Sequence, residues 1–529
     1  MKKKILLFIC LFYAIVHIAF SQGNLSAKIL LIPLDDRPPC LQFPVKMGLV
    51  GDVELITPPH EMLGRFLDFG KSDEIIRWID AQNIQSFDAV IISMDMIAYG
   101  GLVASRVHDT EISEALKRVD IVKVIRQKSP KIKIYGSSVI MRLAPTADGK
   151  NELYREKLSK WAEISPDENQ KILTQKLESD IPQEALRNYK TARERNLKVN
   201  LFAAELVKNK VFDYLILSQD DAKAKGVHIK DRETLSQFVQ SNNLTERIAI
   251  QPGADEVSML LLARSVADKY NYRPKIKAVF SSESMADKEM PFEDRPLRKT
   301  VSFHIKAVGA REVSNINDAD ICFFVFTSRK EEERAKTFAD EIIAFSKKTN
   351  KGMIIVDIDP VGDIQGGDIT FTERLKEQAI FSKTYGYASW NTAGNAIGTA
   401  LPHGILFGVS KPIAKLHPQK EVINRMAKAQ TWFMLNRLLD DYSYHSIVRP
   451  ASAKMIRKKN WNAYRLTDEQ TKSTEEFCKK ELLPIAIKTV EGFYPKNSSN
   501  NLKIVSFSFD LPWNRTFEAE IDCQTIKAK

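Results

Sequence analysis

The 529-residue chain is 44% hydrophobic and 27% charged, the composition of a soluble globular protein long enough for a large core and more than one domain. Its formal charge of +11 is spread through segments such as Lys117-Arg118 and Arg457-Lys458-Lys459. No aromatic-interleaved recognition motif accompanies them, so a nucleic-acid partner is not expected. The five cysteines lie far apart with no CxxC, which argues against a zinc knuckle or a disulfide scaffold and leaves Cys322 as a buried small hydrophobe.

Residues 1–22 read as a secretory signal peptide. Lys2, Lys3 and Lys4 precede an apolar stretch over 5–20, and a small polar exit follows at 21–24. At about 16 residues the stretch is short for a bilayer span. Cleavage, export to the periplasm or exterior, and no stable membrane insertion of the mature chain are expected. Without the leader lysines the charge is +8.

From residue 27 onward, short β-branched runs recur near 28–34, 88–94, 132–138, 213–219, 247–251, 276–281, 320–326, 353–357 and 385–389, with helical patterns between most of them. Such alternation predicts parallel strands covered by helices. Acidic residues fall repeatedly at the ends of the runs: Asp35 and Asp36, Asp95, Asp220 and Asp221, Asp255 and Glu256, Asp357 and Asp359. Ligands of α/β sheets and barrels sit at the carboxyl ends of strands, so these carboxylates are expected to share a pocket. The expected fold is α/β, a (β/α)8-like barrel with a helical insertion and a C-terminal extension. Two Rossmann-like halves around a cleft are the alternative.

About 75 residues separate the runs at 132–138 and 213–219. Residues 145–209 are therefore expected to form a helical cap over the strand ends, with Arg193, Arg195 and Asn196 reaching inward. The α/β domain is placed at 23–410. Residues 411–529 are read as a helical region, with helices at 419–445 and 466–490 and a β-hairpin at 502–523.

Asp220 and Asp221 are the sharpest chemical signal. Two adjacent carboxyls raise one pKa, leaving one ionised and one able to give a proton, which acid/base catalysis requires. Around them are expected Asp36 and Arg37, stiffened by Pro38 and Pro39; Arg142 at the end of its strand; and Asp255 and Glu256 after Pro252-Gly253. Gly100-Gly101 permits close backbone approach to a ligand. Trp390 offers an apolar face for a sugar ring, and Asn391 and Asn395 offer amides on one helix face. The loop 357–363 lacks the register of a calcium loop, so neither a metal nor an organic cofactor is expected there.

The motifs PLDDRP (33–38), YGGL (99–102), SQDDA (218–222), GADE (253–256), EDRPL (293–297), SWNTAGNAIGTAL (389–401) and LPWNRTFE (511–518) resemble a bacterial family of unknown function over nearly the whole mature chain. Cys40 stands where that family is expected to carry a polar residue. The Asp220-Asp221 pair after the fourth strand also resembles, more loosely, barrel enzymes that remove N-acetylhexosamines. That resemblance implies one carboxylate orienting an acetamido group and the other acting as acid and base. The expected function is an exported glycoside hydrolase acting on an amino-sugar or related glycan, with Asp220 and Asp221 catalytic and Asp35 and Asp95 added to the binding shell. Alternatives are a non-catalytic glycan- or cell-wall-binding protein, and a metal-assisted hydrolase using Asp35, Asp36, Asp220 and Asp357.

Overall fold

In the computed structural model, which describes residues 25–363 and 365–528, eleven strands form two all-parallel sheets. The first contains β1 (Ala27–Ile32), β2 (Val53–Ile56), β3 (Ala89–Ser93), β4 (Lys133–Ile140), β5 (Tyr214–Gln219) and β6 (Ile248–Pro252) in the order β2-β1-β3-β4-β5-β6. The second contains β7 (Lys275–Phe280), β8 (Arg311–Glu312), β9 (Ile321–Phe326), β10 (Gly352–Asp357) and β11 (Gly386–Ala388) in the order β11-β10-β9-β7-β8. Runs such as ICFFVF and AVIIS are buried at every position, as parallel strands covered on both faces must be.

Each sheet repeats one winding. The second strand pairs outside the first, and the third returns to the first strand's other side, the 2-1-3-4-5 order of doubly wound sheets. The α/β class is thus as expected. A barrel would need each strand to be added in one direction around a closed ladder, whereas no pairing among the described residues joins the two sheets. The pairing is that of two Rossmann-like halves.

Apolar side chains from one face of each sheet share a core with the helices Val257–Lys269 and Ala393–Leu416, which lie between the sheets. The outer face of the first sheet packs on helices that include Gln183–Lys208, and that of the second on the C-terminal helices and hairpin. The C-terminal region runs through Lys420–Arg437, a π-helical stretch Leu438–Val448, Arg449–Lys458 and Asp468–Glu491. It ends in an antiparallel pair, β12 (Leu502–Asp510) and β13 (Glu520–Lys527). The expected signal peptide lies outside the described residues, among which no helix is long and apolar enough to cross a membrane. Cys40, Cys322, Cys478 and Cys523 are free and buried.

Candidate functional site

The carboxyl ends of both sheets open onto one cavity of about 300 Å³. The first half contributes Arg37 after β1, Arg106 after β3, Arg142 after β4, Gln219, Asp220 and Asp221 at the end of β5, and Asp255 after β6. The second half supplies Glu293 after β7, Gln365 after β10, and Asn391 and Asn395 after β11. Arg155 from the insertion and Trp513 and Arg515 from the loop between β12 and β13 complete the walls.

Asp220 is buried. Arg106 donates to its Oδ2 from Nε at 3.1 Å and from Nη2 at 2.6 Å, and the Asp221 backbone N–H donates to its Oδ1 at 2.9 Å. Burial alone would raise its pKa, but Arg106 and Arg142 outweigh burial and hold the carboxyl below its ordinary range. Asp221 pairs with Arg142, yet its side chain keeps 31% of its surface exposed. Its pKa moves up, through the low-dielectric walls and the neighbouring Asp220 charge, against Arg142. Adjacent carboxyls driven apart in this way divide naturally into an ionised and a protonatable member.

Arg37 is nearly fully buried and ties three segments together. It pairs with Asp35 at 2.7 Å, with Asp255 at 2.6 Å and with Glu518 at 3.4 Å, and stacks 4.7 Å from the Trp513 ring centre. Burial pushes Asp255 up to about 6 against that pairing. Behind the wall, Asp36 accepts the Trp513 indole N–H at 2.7 Å. Asp35 and Asp36 therefore hold Arg37 and Trp513 and do not themselves line the cavity.

Three further expected binding residues prove to be internal. Asp95 is buried and accepts the Val139 N–H at 2.9 Å. Glu256 is buried and accepts from the Asn395 amide at 2.6 Å. Trp390 donates to Thr399 at 3.0 Å and packs edge-on to Phe43 in the core between the sheets. The indole at the pocket wall is Trp513.

Asn391 precedes the helix it was expected to share with Asn395. It sits at φ 58°, tolerated by asparagine, and its Oδ1 accepts from Gln365 at 3.2 Å. Asn395 is fixed by the helix cap, where Thr392 accepts the Asn395 N–H. Glycines allow the halves to meet here: a Cβ on Gly398 would collide with the Glu256 side chain. The Gly100-Gly101 turn serves backbone packing instead, since a Cβ on Gly100 would meet the Gly70 backbone nitrogen at 2.7 Å. In the loop after β10, Asp357 and Asp359 accept backbone N–H groups of Asp368, Val361 and Gln365, which bind the loop together. Asp357, the last residue of β10, anchors that loop and does not line the cavity. Among the described residues no group of three or more His, Cys, Asp or Glu is arranged to hold a metal ion.

The insertion begins at the pocket, with Thr146, Ala147 and Arg155 on its wall. The helix Gln183–Lys208 lies one layer behind. Arg193 donates to Arg142 O and to Asp231, while Arg195 and Asn196 donate to the Ser105 carbonyl. All three point inward but support the loops that carry Arg106 and Arg142.

Glu293, absent from the expected site, lies in the EDRPL motif that echoes DDRPP. It is 4% exposed, its Oε1 accepts the Gly394 N–H at 2.8 Å, and its Oε2 has no hydrogen-bond partner among the described residues. Burial, opposed by that hydrogen bond, lifts its pKa from 4.5 to about 7. The folded state thus retains a proton that the unfolded chain releases between those values, so this group makes stability fall as pH rises from about 4.5 to 7. Glu293→Gln should match the wild type near pH 4 and exceed it at pH 8 by on the order of 3 kcal/mol. Urea midpoints across that range would show it; a stability difference independent of pH would refute the buried proton.

Residues 29–522 match the model of a family described as a protein of unknown function, DUF4127. The chain belongs to that family. No curated protein matches this DUF4127 member. Among solved structures it is similar to GanP, a glucose-galactose binding protein from Geobacillus stearothermophilus. The identity is 10% and the TM-score 0.16, with 74% of this chain and 91% of that chain covered.

Proposed function

We propose that the protein is an exported glycoside hydrolase whose pocket takes an amino-sugar-containing or related glycan. The observation that carries this reading is the division of the carboxyls: Asp220 held ionised beneath Arg106, and Asp221 raised and open to the cavity. Asp221 gives its proton to the glycosidic oxygen as the bond to the anomeric carbon breaks. The Asp220 carboxylate stabilises the positive charge that develops on the sugar. Asp221, now ionised, takes a proton from water as the water oxygen bonds to the anomeric carbon. The products are two sugars with free hydroxyls, and Asp221 is protonated again. Gln365 and Asn391 supply amides for ring hydroxyls, while Trp513, stacked with Arg37 and Arg515, and Asn395, bonded to Glu256 and Thr392, hold the wall. A second hollow of about 500 Å³, reaching Phe69 and Tyr154, shares Val103, Arg106 and Thr146 with the first and leaves room for a longer glycan.

The ion pairs on Asp220, Asp221 and Asp255 favour a second reading, a glycan- or cell-wall-binding protein in which these groups only accept hydrogen bonds. Incubating the purified protein with exopolysaccharides and peptidoglycan fragments separates the two. New reducing ends establish hydrolysis; retention of glycan without them establishes binding.

A further inference from the structure

Five arginines line the cavity, and four are paired: Arg37 with Asp35, Asp255 and Glu518, Arg106 with Asp220, Arg142 with Asp221, and Arg515 with Glu518. Arg155 is the exception. Its Nε donates to the Pro145 carbonyl at 3.0 Å, and it pairs with no carboxylate among the described residues. Arg142 also lines the cavity, and its Nε is buried with no acceptor among the described residues. Burial and then Arg142 act against the Arg155 charge, an imbalance that an incoming anion would relieve. Arg155 is thus the lining arginine whose charge no carboxylate among the described residues matches.

We infer that the sugar bound in this pocket carries a carboxylate, received by Arg155 with Arg142 alongside, so that the substrates are acidic glycans. The planar guanidinium fork matches a carboxylate through two parallel N–H bonds. This inference rests on the glycan reading and adds the charge that the sugar must carry.

The test compares hyaluronan, oligogalacturonate and N-acetylmuramate-containing oligosaccharides with their carboxyl-reduced forms, with neutral chitin oligosaccharides and with a sulfated, carboxyl-free galactan. Binding by calorimetry and reducing-end release are both read. At least one carboxylated glycan should be preferred to its reduced form by tenfold or more, about 1.4 kcal/mol. The preference should weaken with salt, and Arg155→Gln should bring the ratio of carboxylated to reduced close to one. Equal use of reduced or neutral glycans would overturn the inference and leave the hydrolase reading standing. Preference for the sulfated galactan would assign the arginines to sulfate esters and overturn the carboxylate. No binding or turnover of any glycan would remove the glycan reading itself and this inference with it.

Discussion

Replacing Arg37 by alanine should destabilise the protein by about 3–5 kcal/mol, the usual effect of removing one partner from a buried charge cluster. Asp35 and Asp255, both buried, would then lose the cation they share, and Glu518 would keep only Arg515. The Asp255 carboxyl, already pushed up by burial, would rise further without Arg37, so the deficit should be greatest near pH 8 and shrink toward pH 4, where a proton replaces the arginine. Arg37→Lys should recover only part of the loss, because an ammonium cannot reproduce the paired N–H contacts to Asp255 at 3.1 and 2.6 Å. Urea unfolding at the two pH values reads the effect. A loss below about 1 kcal/mol would mean that the cluster contributes little to holding the β12–β13 loop against the first half.

The largest functional effect is expected at Asp221. Asp221→Asn keeps an oxygen acceptor for Arg142 while removing the transferable proton, so folding should persist and kcat should fall about 10²–10⁴-fold on any glycan the protein cleaves. Asp220→Asn should also lose turnover by removing the fixed negative charge beneath Arg106. Steady-state kinetics with the unfolding midpoint measured alongside separates chemistry from stability. Wild-type turnover in both variants would exclude the pair from catalysis.

The rule legible in the sequence was that residues at the carboxyl ends of parallel strands come together. It brought Arg37, Arg142, Asp220, Asp221, Asp255, Asn391 and Asn395 to one cavity, because parallel strands align all their carboxyl ends. What it missed has identifiable causes. VELI at β2 is four residues long and β8 only two, too short for a periodic signal. These are the strands at which each sheet reverses its winding; without them the remaining order resembles a barrel. Trp390 and Trp513 differ in contacts made by distant segments, and only the fold moves the indole after β11 into the core. Arg106 and Arg155 lie beyond the strand ends in loop and insertion, where local pattern carries no direction. Glu293 did leave a trace. DDRPP follows the first strand of the first half, and EDRPL follows, at a longer interval, the first strand of the second. The echo marks corresponding stretches of the two halves.

The most direct test of the central claim is to digest a cleaved glycan in water labelled with heavy oxygen and to weigh both products. Hydrolysis through Asp220 and Asp221 predicts one labelled oxygen on the anomeric carbon of the new reducing end, none on the leaving sugar, and loss of both products in Asp221→Asn. Unsaturated products without label, or cleavage that persists unchanged in Asp221→Asn, would contradict it.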